Sequence, residues 1–154
     1  MPRLTRGDLA PAFSLTRYDG SKLSSASLAG QRYVLYFYPA DDTPGCTREA
    51  CQFNDELAQF TTLDVRVIGV SPDDEASHQA FRAKYGLNFD LVSDPSHTTM
   101  AAYGAYGEKL NYGKTIVGVI RSTFVVGPTG TIEQAWYGVK TDGHAARVLK
   151  SLQR

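Results

Sequence analysis

The chain has 154 residues, of which 42% are hydrophobic and 21% charged; sixteen basic side chains balance sixteen acidic ones, and there are two cysteines. These values predict one domain over residues 1–154 with one main core, and they give no electrostatic pull toward nucleic acid or an acidic membrane surface. Two cysteines exclude a multi-disulfide scaffold, no segment reaches transmembrane length, and "MPRLTRGDLAPAF" lacks the apolar run of a signal peptide, so a reducing cytoplasm is the expected setting.

The chain through about Gly20 reads as an arm or short edge strands: "AFSL" alternates and "YDGS" is a turn signal. In "RYVLYFYP" the segment Val34 to Phe37 is continuously apolar and aromatic, which predicts a strand covered on both faces. Pro39 ends it. Thr43 followed by Pro44 predicts a helix N-cap with proline at the first helical position. Cys46, Ala50, Phe53, Leu57 and Phe60 then recur at spacings of four and three, one core-facing stripe. "DVRVIGVSP" is a second strand, and "DDEASHQAFRAKYG" a helix with acids at its start and Gly86 at its end. "FDLVSDP" is a shorter strand, followed by a helical turn over Thr99 to Tyr103. "GAYGEKLNYGKTIVG" has weak periodicity and reads as loop with some strand. "STFVVGPTGTIEQAWYG" is a hairpin turning on Gly-Pro-Thr-Gly. The last helix, "TDGHAARVLKSL", buries Ala145, Val148, Leu149 and Leu152. Early parallel strands with a late antiparallel pair predict a three-layer α/β domain of thioredoxin-like form, a central mixed sheet flanked by helices.

The chemistry concentrates in "YFYPADDTPGCTREACQF", which holds both cysteines. On the apolar stripe, Cys46 reads as a small buried hydrophobe. At the third helical position it also lies among backbone N–H groups that lack intrahelical acceptors, a setting that favours a thiolate. Asp41 and Asp42 oppose this where they lie close, and a cation is needed to offset them. A metal site is disfavoured: His78, His97 and His144 fall on separate elements without paired ligand spacing. They read as surface residues or helix-end partners, although a Cys–His hydrolase needs only one of them to meet Cys46 in space. As a redox pair, Cys46 and Cys51 differ from the C-x-x-C of disulfide reductases. Five residues of intact helix rise about 7.5 Å and turn about 140°. That separation forbids a disulfide until the helix unwinds.

"FYPADDTPGCTREACQF" resembles the active-site segment of the peroxiredoxins, and the chain is most similar to the peroxiredoxin Q, or bacterioferritin comigratory, group. "DVRVIGVSPDDEASHQAFRAKYGLNFDLVSD" and "YGEKLNYGKTIVGVIRSTFVVGPTGTI" resemble later segments of the same family, so the likeness spans nearly the whole chain. The resemblance implies that Cys46 is the peroxidatic cysteine, with Pro39, Thr43 and Arg121 completing its pocket. It implies that Cys51 is the resolving cysteine of an intrahelical disulfide, and gives Glu49 a supporting role. The Thr43 hydroxyl is expected both to cap the helix and, in that pocket, to donate to one reacting atom while accepting from another. Tyr103, Tyr106 and Tyr112 are candidates for the pocket rim, and Trp136 reads as a packing residue. The implied substrates are hydrogen peroxide and alkyl hydroperoxides, and the implied reductant is thioredoxin, or in some members glutaredoxin. The implied protein is a monomer with no cofactor or metal. A protein disulfide oxidoreductase and a peroxide-sensing thiol switch are the competing functions.

Overall fold

The computed structural model describes residues 3–153. A short hairpin opens the chain, β1 (Ser14–Arg17) with β2 (Lys22–Ser24). A 3-10 turn at Ala26–Leu28 leads to β3 (Arg32–Phe37), α1 (Pro44–Asp55) and α2 (Leu57–Thr62). Then come β4 (Val65–Ser71), α3 (Glu75–Tyr85), β5 (Asp90–Ser93) and α4 (Thr98–Ala102). The chain finishes with β6 (Tyr106–Asn111), β7 (Lys114–Val119), β8 (Ser122–Val126), β9 (Ile132–Tyr137) and α5 (His144–Leu152).

A seven-stranded sheet runs in the order β2-β1-β5-β4-β3-β8-β9. β3, β4 and β5 are parallel, whereas β8 and β9 are antiparallel to their neighbours, as the sequence pattern predicts. β3 sits in the middle, paired to β4 on one side and β8 on the other, which is why its residues 34–37 are all apolar or aromatic and fully buried. Its alternation divides the core. Tyr33, Leu35 and Phe37 join a cluster with Met100 of α4 and Leu15 and Leu23 of the opening hairpin. Val34, Tyr36 and Tyr38 join the opposite cluster with Cys46, Phe53, Phe60, Phe81 and Val148 from four helices. The mixed sheet flanked by helices is the expected thioredoxin-like architecture.

Three expectations need correction. The stripe from Cys46 to Phe60 does not lie on one helix: the Glu56 carbonyl accepts from both Gln59 and Phe60, a tightened turn that separates α1 from α2. Leu57 is therefore only partly buried. The last helix buries Ala145, Val148 and Leu149, with Leu152 at its half-buried end. The glycine- and tyrosine-rich segment forms a regular separate hairpin, β6–β7. Its two-residue turn, Tyr112-Gly113, has positive φ at both positions (52° and 79°), the geometry that suits a tight hairpin. A tyrosine there hides the turn from sequence rules that look for asparagine or aspartate.

Gly69 of β4 lets the site helix settle on the sheet. A Cβ there would stand 2.9 Å from both Cζ and Oη of Tyr36, and 3.0 Å from Leu91. Tyr36 in turn stacks on Phe53 of α1, ring centroids 4.7 Å apart. We predict that Gly69→Ala destabilises the fold by about 1–3 kcal/mol through overpacking, read as a lower denaturant midpoint; an unchanged midpoint contradicts this packing.

Candidate active site

β3 carries the chain into a loop over residues 38–43, and Pro39 sits half-buried just after the strand. Thr43 occupies the N-cap with extended dihedrals (φ −95°, ψ 155°), and its carbonyl accepts from the Thr47 N–H at 2.8 Å. Its side chain does not cap. The hydroxyl donates to the Ala40 carbonyl at 3.0 Å, which leaves its lone pairs as acceptors. The capping half of the role expected of Thr43 is thus corrected: its hydroxyl turns to the loop instead.

Cys46 is 2% exposed, packed with Tyr36, Tyr38 and Phe53. Its sulfur nevertheless meets a charge. Arg121 Nη2 donates to Cys46 Sγ at 3.3 Å, and Nη1 donates to Glu49 Oε1 at 2.6 Å. Arg121 lies in the short link between β7 and β8, and the Val139 N–H holds its carbonyl at 3.0 Å. Its side chain is largely buried rather than a surface group. Burial works against its charge, but Glu49 and Cys46 outweigh that, and the guanidinium is held protonated more firmly than usual. Gly45 lies beside it, where a Cβ would make only an ordinary contact, 3.4 Å from Nη2.

Glu49 is a buried carboxyl on the core side of a helix, with Oε2 lacking any hydrogen-bond partner. Burial pushes its pKa up to about 7, against the pull of Arg121. The sequence held the signal: Glu49 is three residues from Cys46 and four from Phe53, so it belongs to the buried stripe. Reading only the apolar members of that stripe passes it over.

Asp41 and Asp42 are answered by α3. Asp41 accepts from Tyr38 Oη (2.6 Å), from Ser77 Oγ (2.8 Å) and from His78 Nδ1 (2.7 Å), while its own N–H donates to Asp73 Oδ2 at 2.7 Å. Asp42 accepts from Lys84 Nζ at 2.7 Å and from Tyr85 Oη at 2.6 Å, and these contacts hold its carboxyl below the usual range. Two side chains that threatened the thiolate instead tie the loop to a neighbouring helix.

Cys51 is a free, partly exposed thiol on α1, off the buried stripe. Burial, with Asp55 adding repulsion, holds its thiol above the usual range. The histidines differ from expectation, since His78 and His144 are buried. His78 bridges Asp41 and the Val92 carbonyl; His144 meets Thr123 Oγ1 at 2.8 Å and packs edge-on against Phe53 and Trp136. Burial, with Arg147 and Arg121, pushes His144 down to about 4, so it is neutral near pH 7. Tyr103 is buried in the opposite core cluster, Tyr106 stacks on His97, and Tyr112 is 99% exposed at the hairpin tip, so none forms a rim around Cys46. Among the described residues no group of three His, Cys, Asp or Glu side chains is placed to hold a metal, and no helix is long and apolar enough to cross a membrane.

The sequence profile of the AhpC/TSA family matches residues 6–135. A putative peroxiredoxin of Mycobacterium tuberculosis is 52% identical over 150 residues, covering 97% of this chain and 96% of that protein. The solved structure of a cysteine-to-serine variant of PrxQ from Xylella fastidiosa superposes with a TM-score of 0.92 at 38% identity, over 99% of this chain and 98% of that one. The bacterioferritin comigratory protein of Xanthomonas campestris, solved in work on its alkyl peroxide reduction activity, superposes with a TM-score of 0.86 at 41% identity, over 92% and 90%. With a buried cysteine facing an arginine at the head of a helix, on this sheet, the chain belongs to the AhpC/TSA family, as a peroxiredoxin of the PrxQ and Bcp type.

Proposed function

We propose that this chain reduces hydrogen peroxide and alkyl hydroperoxides through Cys46, the peroxidatic nucleophile of a thiol-dependent peroxidase. The observation that carries the reading is the guanidinium N–H aimed at Cys46 Sγ from 3.3 Å. A charged donor in a water-poor pocket stabilises negative charge on the attacking sulfur, and it is in reach of the leaving oxygen as the O–O bond breaks. Glu49 fixes that guanidinium from behind. Thr43, its proton engaged by Ala40, offers lone pairs that orient a peroxide O–H. Pro39 shields the loop side of the pocket.

The sulfur attacks one peroxide oxygen, the O–O bond breaks, and the products are the Cys46 sulfenic acid and an alcohol or water. Residues 46–51 then unwind. The Cys51 sulfur displaces the hydroxyl of the sulfenic acid, forming the Cys46–Cys51 disulfide and releasing water. Both thiols lie on one helix, so the cycle needs no second subunit and suits a monomer. A thioredoxin-type dithiol, or glutaredoxin, then reduces the disulfide, a step that suits a reducing compartment such as the cytoplasm.

Four variants test this with hydrogen peroxide and tert-butyl hydroperoxide in stopped flow. Cys46→Ser abolishes turnover; wild-type turnover in that variant removes the mechanism. Cys51→Ser completes one round of peroxide reduction but loses thioredoxin-driven recycling. Arg121→Met lowers kcat/KM for peroxide by about 100- to 1,000-fold, the usual cost of a missing preorganised donor, and Arg121→Lys falls between because it keeps the charge but not the two-pronged geometry. An Arg121→Met enzyme as fast as wild type rules out the pocket.

A further inference from the structure

Glu49 lies inside the interval that must open for Cys46 to reach Cys51. It is buried at 1% exposure, and its Oε2 has no donor. An ionised carboxylate spreads its charge over both oxygens, so this site satisfies only half of it. The groups facing it are few: Arg121 from the β7–β8 link donates to Oε1, Cys46 shares the same guanidinium from one turn earlier on α1, and the Tyr36 phenol of β3 stands close enough to sense its charge. When residues 46–51 unwind, Glu49 passes from this enclosure into water.

We propose that Glu49 carries a proton in the folded, reduced helix and gives it to solvent when the helix opens, so that forming the Cys46–Cys51 disulfide is coupled to release of one additional proton. The proposal rests on the disulfide cycle above and assigns Glu49 a positioning role within it. The sulfur chemistry is itself neutral: two thiols and one peroxide give a disulfide, an alcohol or water, and a further water. The extra proton comes from the carboxyl alone.

The direction of the pH effect follows. In the folded helix Glu49 titrates at about 7, and once exposed it returns to the ordinary 4.5. Between those values the folded form binds more protons than the open one, so the folded helix is favoured as pH falls and opening is favoured as pH rises. Below 4.5 both forms are protonated, above about 7 both are ionised, and the contribution levels off. Across the window the opening equilibrium shifts on the order of a hundredfold.

The test mixes reduced protein with one equivalent of hydrogen peroxide in weakly buffered solution containing a pH indicator, with disulfide formation followed by mass spectrometry. Near pH 6 wild type releases about one proton more per disulfide than Glu49→Gln, and the difference disappears toward pH 4 and pH 8. Because Cys46 and Glu49 share the Arg121 guanidinium, the thiolate fraction of Cys46 is followed in each protein by its ultraviolet absorbance and its proton count subtracted. Should Glu49→Gln not fold, the disulfide equilibrium of wild type against dithiothreitol, corrected for the separately titrated Cys46 thiolate, serves instead: it shifts toward the disulfide by up to about tenfold per pH unit through the window, where an exchange between un-ionised thiols is flat. A disulfide that forms with equal proton counts in both proteins, or a flat equilibrium, overturns the proposal alone. Absence of the Cys46–Cys51 disulfide overturns the cycle beneath it as well.

Discussion

One guanidinium organises this site. Arg121 reaches from the sheet to the helix and divides its donors between a sulfur and a carboxyl, Cys46 at 3.3 Å and Glu49 at 2.6 Å. A buried contact of this kind is weak as a stabilising device, because taking charge out of water costs about as much as the attraction returns. Its value lies in placement. The carboxyl fixes one edge of the fork, and the rigid plane of the guanidinium then fixes the other edge on the sulfur. A lysine could supply charge here but not that geometry.

The loop that presents the cysteine is held with comparable care from the other side. Asp41 is nearly enclosed and receives three donors, two of them from α3, while Asp42 takes two more from the same helix. The backbone at Asp42 has φ 57°, a conformation a non-glycine residue holds only when its surroundings compel it. These contacts separate the loop, which stays anchored, from the first turns of α1, which the proposed cycle requires to open. Farther along the helix the opening has a natural stop. Phe53 is fully buried, stacked on Tyr36 and packed near Phe60 and His144. Unwinding the helix through Phe53 would forfeit an aromatic cluster, whereas releasing Cys46 and Glu49 gives up one arginine contact each and the packing of the small Cys46 and Ala50 side chains, and returns a costly carboxyl to water. This packing favours confining the proposed rearrangement to the interval that holds both thiols.

Much of this was legible in the chain. The apolar run of residues 34–37 placed the central strand, and Thr43-Pro44 placed the helix start, because both depend on local chemistry: burial on two faces, and a fixed φ with no N–H to satisfy. The cysteine spacing carried its mechanical consequence for the same reason, since helix geometry is local. The misreadings came from contacts between distant segments or from turns with unusual residues. The break at Glu56 precedes a helix that packs on β4, a contact between distant segments, and Tyr112 in a tight turn breaks the composition rule for hairpins. A reading of His78 and His144 as surface residues or helix-end partners misses their burial, because a histidine's burial depends on partners far away, Asp41 and Val92 for one and Thr123 for the other.

By itself the sequence determined the central strand, the helix that begins at Thr43, and the fact that two thiols five residues apart cannot join while that helix stands. These are properties of neighbours along a backbone with fixed rise and twist. Only the tertiary structure decided that Arg121, seventy-five residues from Cys46, lies against its sulfur, that the Thr43 proton turns to Ala40, and that Glu49 is sealed in with one oxygen unanswered. Those facts are set by how β8 pairs beside β3 and how α1 lies across them, and the identity of a charged residue does not reveal which distant surface will exclude water from it.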